Sequence, residues 1–300
     1  MCDVLADAKH GDVHLDVCTR CQMAWFDRQE YEQFPPAPPP QALSPQVREA
    51  FARYQLEIDE RRRRGPEIGR DDGPEETWKW IPALFGLPVE EDSSLASWPW
   101  LTWALVALLV VTFALTQSNL TEVVRQFGLI PAEPWRHGGA TLVTSFFIHG
   151  SWLHVLGNVY FLWIFGDNVE EDLGRWQYAF VVLLATLAGD AAHIAFDVRP
   201  QIPCVGASGG IAGVLTYYAL RFPNARLRFL FRYVFIFRWL HVPAYFALAI
   251  WIALQFVTAY LQRHAAGDVS GLAHLGGASA GVAAWAWHRW LVPLWKPRTP

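Results

Sequence analysis

The sequence predicts an all-α membrane protein, a bundle of six transmembrane helices preceded by a small cytoplasmic Cys-rich module and a linker. Three observations carry that expectation. Apolar residues make up 53% of the 300-residue chain and charged residues only 17%, with 16 tryptophans, a balance that argues against a disordered or nucleic-acid-binding chain. The charge is also split along the chain. Residues 1–97 hold 19 acidic and 11 basic side chains (−8), and residues 98–300 hold 9 and 13 (+4), which together give the −4 of the whole. Finally, no charge occurs between Asp92 and Glu122, a stretch long enough to cross the roughly 30 Å core of a bilayer.

At twice the roughly 150 residues of an average domain, the chain has room for a main domain and an accessory module. The expected boundaries are 1–34 for the module, 35–97 for a Pro-rich linker with a soluble helix, and 98–295 for the membrane domain. The module carries Cys2, His10, His14, Cys18 and Cys21. A Cys-x-x-Cys pair on a tight turn can give two thiolates to a tetrahedral zinc, and about thirty residues need such a staple because their core is small. The run from Leu15 through Cys18 and Cys21 to Trp25-Phe26-Asp27 resembles the second half of a TFIIB-type zinc ribbon. That family brings two Cys-x-x-Cys pairs. Here only Cys2 remains of the first, so Cys2, Cys18 and Cys21 are the candidate ligands of a structural zinc, with His10 or His14 as substitutes for the missing one. The alternative is free thiols in a reducing compartment.

Pro35 to Pro40 form a stiff spacer, and Ser44-Pro45 opens a helix running to the Arg61–Arg64 block. Acidic neighbours Glu57, Asp59 and Glu60 make that block a solvated helix end or a contact with anionic lipid rather than a nucleic-acid patch. Residues 65–92 return to linker. The first apolar run follows about ninety polar residues, so no secretory leader is expected.

From Trp98 the chain reads as spans, with further apolar segments at about 151–166, 176–196, 208–220, 243–262 and 270–291. The connection after the fourth holds Arg221, Arg226, Arg228, Arg232 and Arg238, and the tail holds Arg289, Lys296 and Arg298. Excess arginine marks the cytoplasmic side, so both termini face the cytoplasm in a multi-pass protein of a bacterial-type inner or plasma membrane.

With that parity, the second, fourth and sixth spans all start near the outer face. Span two opens with His149, His154 and Asn158, span four with Gly206-Ala207-Ser208-Gly209, and span six has His274 a turn inside. Polar residues at such depth are costly, which makes each a candidate for function. Ser208 lies in a glycine-rich turn at a helix start, where Gly206 and Ala207 leave room and free N–H groups point outward. His274 has the proton affinity of a base. Asn158, and His154 one turn earlier on the same face, are donors for an oxyanion. Gly277-Ala278-Ser279-Ala280-Gly281 also fits Gly-x-Ser-x-Gly, but it lies within a helix and suits close packing. Asp190 and His193 read as a polar packing pair, His149 as structural, and Cys204 as a small buried hydrophobe.

Taken together, Trp135-Arg136, His149 to Asn158, Phe165-Gly166 with Val169-Glu170, Gly206-Ala207-Ser208-Gly209 and Ala273-His274-Leu275-Gly276-Gly277 with Gly281 resemble the rhomboid family of intramembrane serine proteases. The resemblance spans about Trp98 to Trp290. It implies a six-helix fold, a Ser208–His274 dyad that needs no cofactor, and His154 and Asn158 in the oxyanion hole. Transmembrane proteins in the bilayer would be the substrates. Gly277 and Gly281 would let span six press on span four at Gly209 and Gly213. One departure is Ala212, where the family often has an aromatic packed on the histidine. The competing class is a catalytically inactive rhomboid-like protein that binds or escorts transmembrane helices. A metalloprotease fails because no His-Glu-x-x-His occurs, and a transporter because no inverted repeat is visible.

Overall fold

In the computed structural model of the chain, residues 2–6, 13–17, 24–25, 77–90, 97–233 and 236–291 are described. The chain divides into two compact units, Met1–Ile68 and Gly69–Pro300. In the first, β1 (Cys2–Ala6), β2 (Val13–Val17) and β3 (Ala24–Trp25) form an antiparallel sheet with β2 in the middle. The alternation Val13-His14-Leu15-Asp16-Val17 is the period-two pattern of a strand. His10, Cys18, Cys21, the proline spacer, the expected helix with Arg61–Arg64, and the tail from 292 onward lie outside the described residues.

The second unit starts with α1 (Trp80–Leu84) and β4 (Val89–Glu90), followed by α2 (Trp100–Thr116), α3 (Leu120–Phe127), α4 (Thr141–Phe147), α5 (Trp152–Leu173), α6 (Arg175–Phe196) and α7 (Ser208–Arg221). A hairpin, β5 (Arg226–Tyr233) and β6 (Ile236–Pro243), precedes α8 (Ala244–Arg263) and α9 (Gly271–Ala286). Among the described residues, three helical stretches are long and apolar enough to cross a membrane: Trp100–Phe127, Arg175–Phe196 and Ala244–Arg263. The others are limited by charge or length. α5 carries Asp167, Glu170, Glu171 and Asp172, and α7 and α9 have 14 and 16 residues, against the roughly 20 usually needed.

Burial explains the difference. Ten of the fourteen residues of α7, from Gly209 to Ala219, are buried, so it is the central helix and meets protein on nearly all sides. α8 buries only Ala244, Gln255, Ala259 and Gln262, and its outward residues are apolar because they face a nonaqueous surround.

Small residues decide how the centre packs. A Cβ on Gly277 would stand 1.9 Å from the Gly209 carbonyl oxygen, and one on Gly281 2.3 Å from that of Gly213. On the far side, a Cβ on Gly189 of α6 would reach within 2.7 Å of the Ala273 carbonyl. Backbone thus lies against backbone where α6, α7 and α9 meet, the close approach that small-xxx-small spacing permits.

Glu170 fastens α2 to α5. Its carboxylate accepts hydrogen bonds from Leu101 N (3.0 Å), Thr102 N (2.7 Å) and Thr102 Oγ1 (2.9 Å). The two nitrogens are free amides of the first turn of α2, where a negative charge also meets the positive end of the helix dipole.

Two expectations need correction. The domain is mostly helical but not all-α, since β4 joins β5 and β6 in a second antiparallel sheet. The arginines between α7 and α8 alternate with Leu227, Phe229 and Phe231, a strand pattern hidden when they are read only as charge. Leu227 and Phe229 pack on the main core, while Leu230 and Trp239 form a small core with Ala83 and Val89. That small core is the second correction, because residues 77–90 are not linker. Trp80 meets Trp239 edge-on at 5.0 Å, Tyr160 donates to the Pro88 carbonyl (2.6 Å), and buried Glu90 accepts from Tyr218 and Asn168. The apolar residues among the acidic ones dock the segment.

Gly277→Leu should push α7 and α9 apart and cost about 1–3 kcal/mol or more, read as a lower thermal midpoint in detergent. Gly157→Ala, at a helical glycine with nothing within 4 Å, should be neutral or stabilising. Glu170→Gln should cost on the order of 1–2 kcal/mol by weakening charged hydrogen bonds at a helix start, read by the same midpoint.

Candidate active site

Three helices deliver their first turns to one cavity. Ser151 caps α5 by accepting from His154 N (3.2 Å), and Ser270 caps α9 by accepting from Ala273 N (3.1 Å). α7 has no side-chain cap, so its first amides remain available to an incoming group. The cavity, of about 730 Å³, is lined by Ser208 from α7, His274 from α9, and His154 and Asn158 from α5. The C-terminal half of α6 adds Asp190 and His193, and α8 adds Trp251.

Gly206 makes the turn into α7 and brings these helices together. Its φ of +121° is open to glycine, and a Cβ there would come within 2.7 Å of the His154 ring and 3.8 Å of Asn158 Nδ2. Its amide donates to the Ser145 carbonyl (2.9 Å). Ala207 behind it is fully buried. The chain just before is held by a bridge in which Leu129 and Cys204 exchange backbone hydrogen bonds of 2.9 and 2.8 Å.

Ser208 and His274 both open on the cavity, yet no hydrogen bond joins the hydroxyl to the ring in this state. Catalytic contacts are often long without substrate. Asn158 Nδ2 donates to the His154 carbonyl one turn back (3.0 Å), leaving its second N–H free. His149 is fully buried, and its ring meets that of His154 edge-on at 5.0 Å. Burial, with His154 alongside, pushes His149 down to about 4, so it is a neutral packing group near pH 7.

In the loop after α3, Arg136 ties the chain down through its guanidinium, donating to the carbonyls of Arg125 (2.7 Å) and Gly128 (2.9 Å), while Trp135 is exposed. Gly209, Gly277 and Gly281 sit in the helix contacts described above. Ser279 donates to the Gly276 carbonyl (2.6 Å) on the exposed side of α9, away from the cavity.

The reading of Asp190 with His193 does not hold. His193 Nδ1 lies 2.8 Å from Ser270 Oγ and 3.1 Å from Gln262 Nε2, and Asp190 Oδ2 has no partner. Ser270 and Gln262 come from the start of α9 and the end of α8, and their polar atoms draw the ring across the interface.

The sequence reading missed Trp251 and Gln255. Ala212 is buried against the helices, and the ring beside His274 belongs to Trp251, 6.0 Å away at 32°. Gln255 Oε1 lies 2.6 Å from His274 Nδ1. A signal was present: in the apolar run of α8, Trp251, Gln255 and Gln262 fall four and seven residues apart, on one helical face.

Comparison with known proteins identifies the family. Residues 131–290, just over half of the chain, match the rhomboid domain. The mouse presenilin-associated rhomboid-like protein, mitochondrial, is 31% identical over 172 residues, covering 53% of this chain and 40% of the relative. The human protein of that name is 30% identical over the same shares. Rhomboid protein 1, mitochondrial, of Saccharomyces cerevisiae is 25% identical over 189 residues, 61% of this chain and 51% of the relative. The chain thus spans about half or less of the length of these relatives. With its apolar helices and the matched domain, the chain is a membrane protein and belongs to the rhomboid family.

Proposed function

We propose that this chain is an intramembrane serine endopeptidase that hydrolyses a peptide bond in or near a substrate's transmembrane helix. The observation that carries the reading is the shared cavity, with a hydroxyl, an imidazole and two polar side chains at the starts of three helices. Ser208 Oγ attacks the scissile carbonyl carbon while the His274 ring takes its proton. The carbonyl oxygen becomes an oxyanion facing the amides at the start of α7, with Asn158 and His154 as side-chain donors. Collapse breaks the C–N bond, and the imidazolium returns the proton to the leaving amine. Water then cleaves the Ser208 ester, again deprotonated by His274. No metal or cofactor takes part in this sequence.

In this reading α2 and α5 to α9 are six crossings, and the arginine-rich hairpin end shares a side with both termini. That side is the cytoplasm if the membrane is of bacterial plasma-membrane type. The curated relatives are mitochondrial by name, so the inner mitochondrial membrane is the other location the proposal admits. Substrates are transmembrane proteins within the bilayer, opened locally because a helical carbonyl is shielded by its own hydrogen bonds. For the N-terminal unit the proposal is a structural zinc. The strand register sets Cys2 opposite Val17, the residue before Cys18 in the chain, which supports Cys2 as companion of the Cys18 and Cys21 pair, with His10 or His14 in the fourth place. Metal analysis of residues 1–40 should return one zinc per chain, and a metal-free peptide overturns this part.

A second reading, a non-cleaving binder of transmembrane helices, is favoured by the absence of a Ser208–His274 hydrogen bond. A serine-directed fluorophosphonate separates the two, because an activated Ser208 is labelled and an inert one is not. Ser208→Ala and His274→Ala should each abolish cleavage of a reporter transmembrane substrate with insertion unchanged. Asn158→Ala should lower kcat by 10²–10³, about 2.7–4 kcal/mol in the transition state.

A further inference from the structure

We infer that Gln255 is a positioning residue that selects the working tautomer of His274, so that the site operates as an ordered Gln–His–Ser relay. The inference rests on the serine-hydrolase reading and adds to it a member from a fifth helix. A side-chain carbonyl oxygen only accepts hydrogen bonds. With Gln255 Oε1 at 2.6 Å, His274 Nδ1 must carry the proton, and the lone pair is left on Nε2. That is the nitrogen a serine proton requires.

The surrounding packing restrains the amide. Gln255 is only 7% exposed, on a helix whose other faces are largely apolar. α8 comes close enough to α9 because position 271 is glycine. A Cβ there would meet Ala259 N at 2.4 Å and the Gln255 carbonyl at 2.8 Å. Two turns along α8, Gln262 Oε1 accepts from Leu272 N (3.1 Å), so two amides on one face of α8 hold the start of α9. The Trp251 ring lies alongside the imidazole, in the role that Ala212 is too small to fill. Trp251 limits the tilt of the ring, and Gln255 sets which edge it offers to Ser208.

The other groups around the ring do not compete for Nδ1. His154 approaches from α5, Ser208 from α7, and Asp190 and His193 from α6, with Asp197 and Arg199 in the loop after α6 and Asp268 in the loop before α9. None of them hydrogen-bonds to His274 in this structure.

The test uses the full chain in lipid nanodiscs with a reporter transmembrane substrate. Gln255→Met, similar in size but with no strong acceptor, should lower kcat about 100-fold with KM little changed, the order of loss expected when a catalytic group is misplaced. Gln255→Glu restores an acceptor and should recover most of the rate. Ring ¹⁵N shifts of His274 read the tautomer without turnover, Nδ1–H in the wild type and mixed in Gln255→Met. A wild-type rate and an unchanged tautomer in Gln255→Met overturn the inference, as does loss without recovery in Gln255→Glu. If Ser208→Ala cleaves as well as the wild type, the hydrolase reading fails by itself, while the ¹⁵N result still decides whether Gln255 governs the ring.

Discussion

The contact on which the rest of the domain depends is the backbone-to-backbone approach of α7 and α9. With glycine at 209, 213, 277 and 281, carbonyl oxygens of one helix occupy the space where side chains of the other would stand. Lipid tails are as apolar as leucine, so in a membrane this association draws on dispersion and shape rather than on expulsion of water. The same contact sets the distance between a helix that begins with Ser208 and a helix that carries His274 in its first turn. Packing and chemistry therefore share one geometric requirement.

Polar groups inside such a bundle need partners, and their partners come from other helices. Glu170 binds the first amides of α2, Gln262 an amide of α9, and Ser270 the ring of His193. Each of these joins two elements and satisfies a group that would be costly if left alone in a dry interior. Several polar groups at the cavity are left open. Ser208, His154 and one face of Asn158 remain available there, and Asp190 Oδ2 lacks a partner. Open polar groups held on closely packed helices are the arrangement that preorganised catalysis needs.

Much of the site was legible because its residues come at helix starts, where chain position alone sets depth. Gly206, Ser208, Asn158 and His274 are conspicuous in apolar surroundings, and the structure brings them to one cavity. The β5–β6 hairpin and the docking of residues 77–90 were less legible. Their strands are short and their alternation runs through arginines, so local composition outweighed the period-two pattern. The partners of His193 and His274 were not legible either, since a pairing inferred from neighbours in one helix ignores what a facing helix offers. Ala212 pointed to a gap beside His274, but not to Trp251, some forty residues away, as the residue that fills it.

By itself, then, the sequence determined which segments are apolar enough to leave water, where small residues permit close helices, and which polar side chains stand out in apolar surroundings. These are properties of composition and spacing, written in local chemistry. Only the tertiary structure decided which groups touch: Gln255 on the imidazole, Glu170 on the start of α2, Glu90 on Tyr218. Such contacts depend on the rotation of one helix about its axis relative to another. That rotation is set by the sum of many packing contacts across the bundle, a quantity no single segment contains.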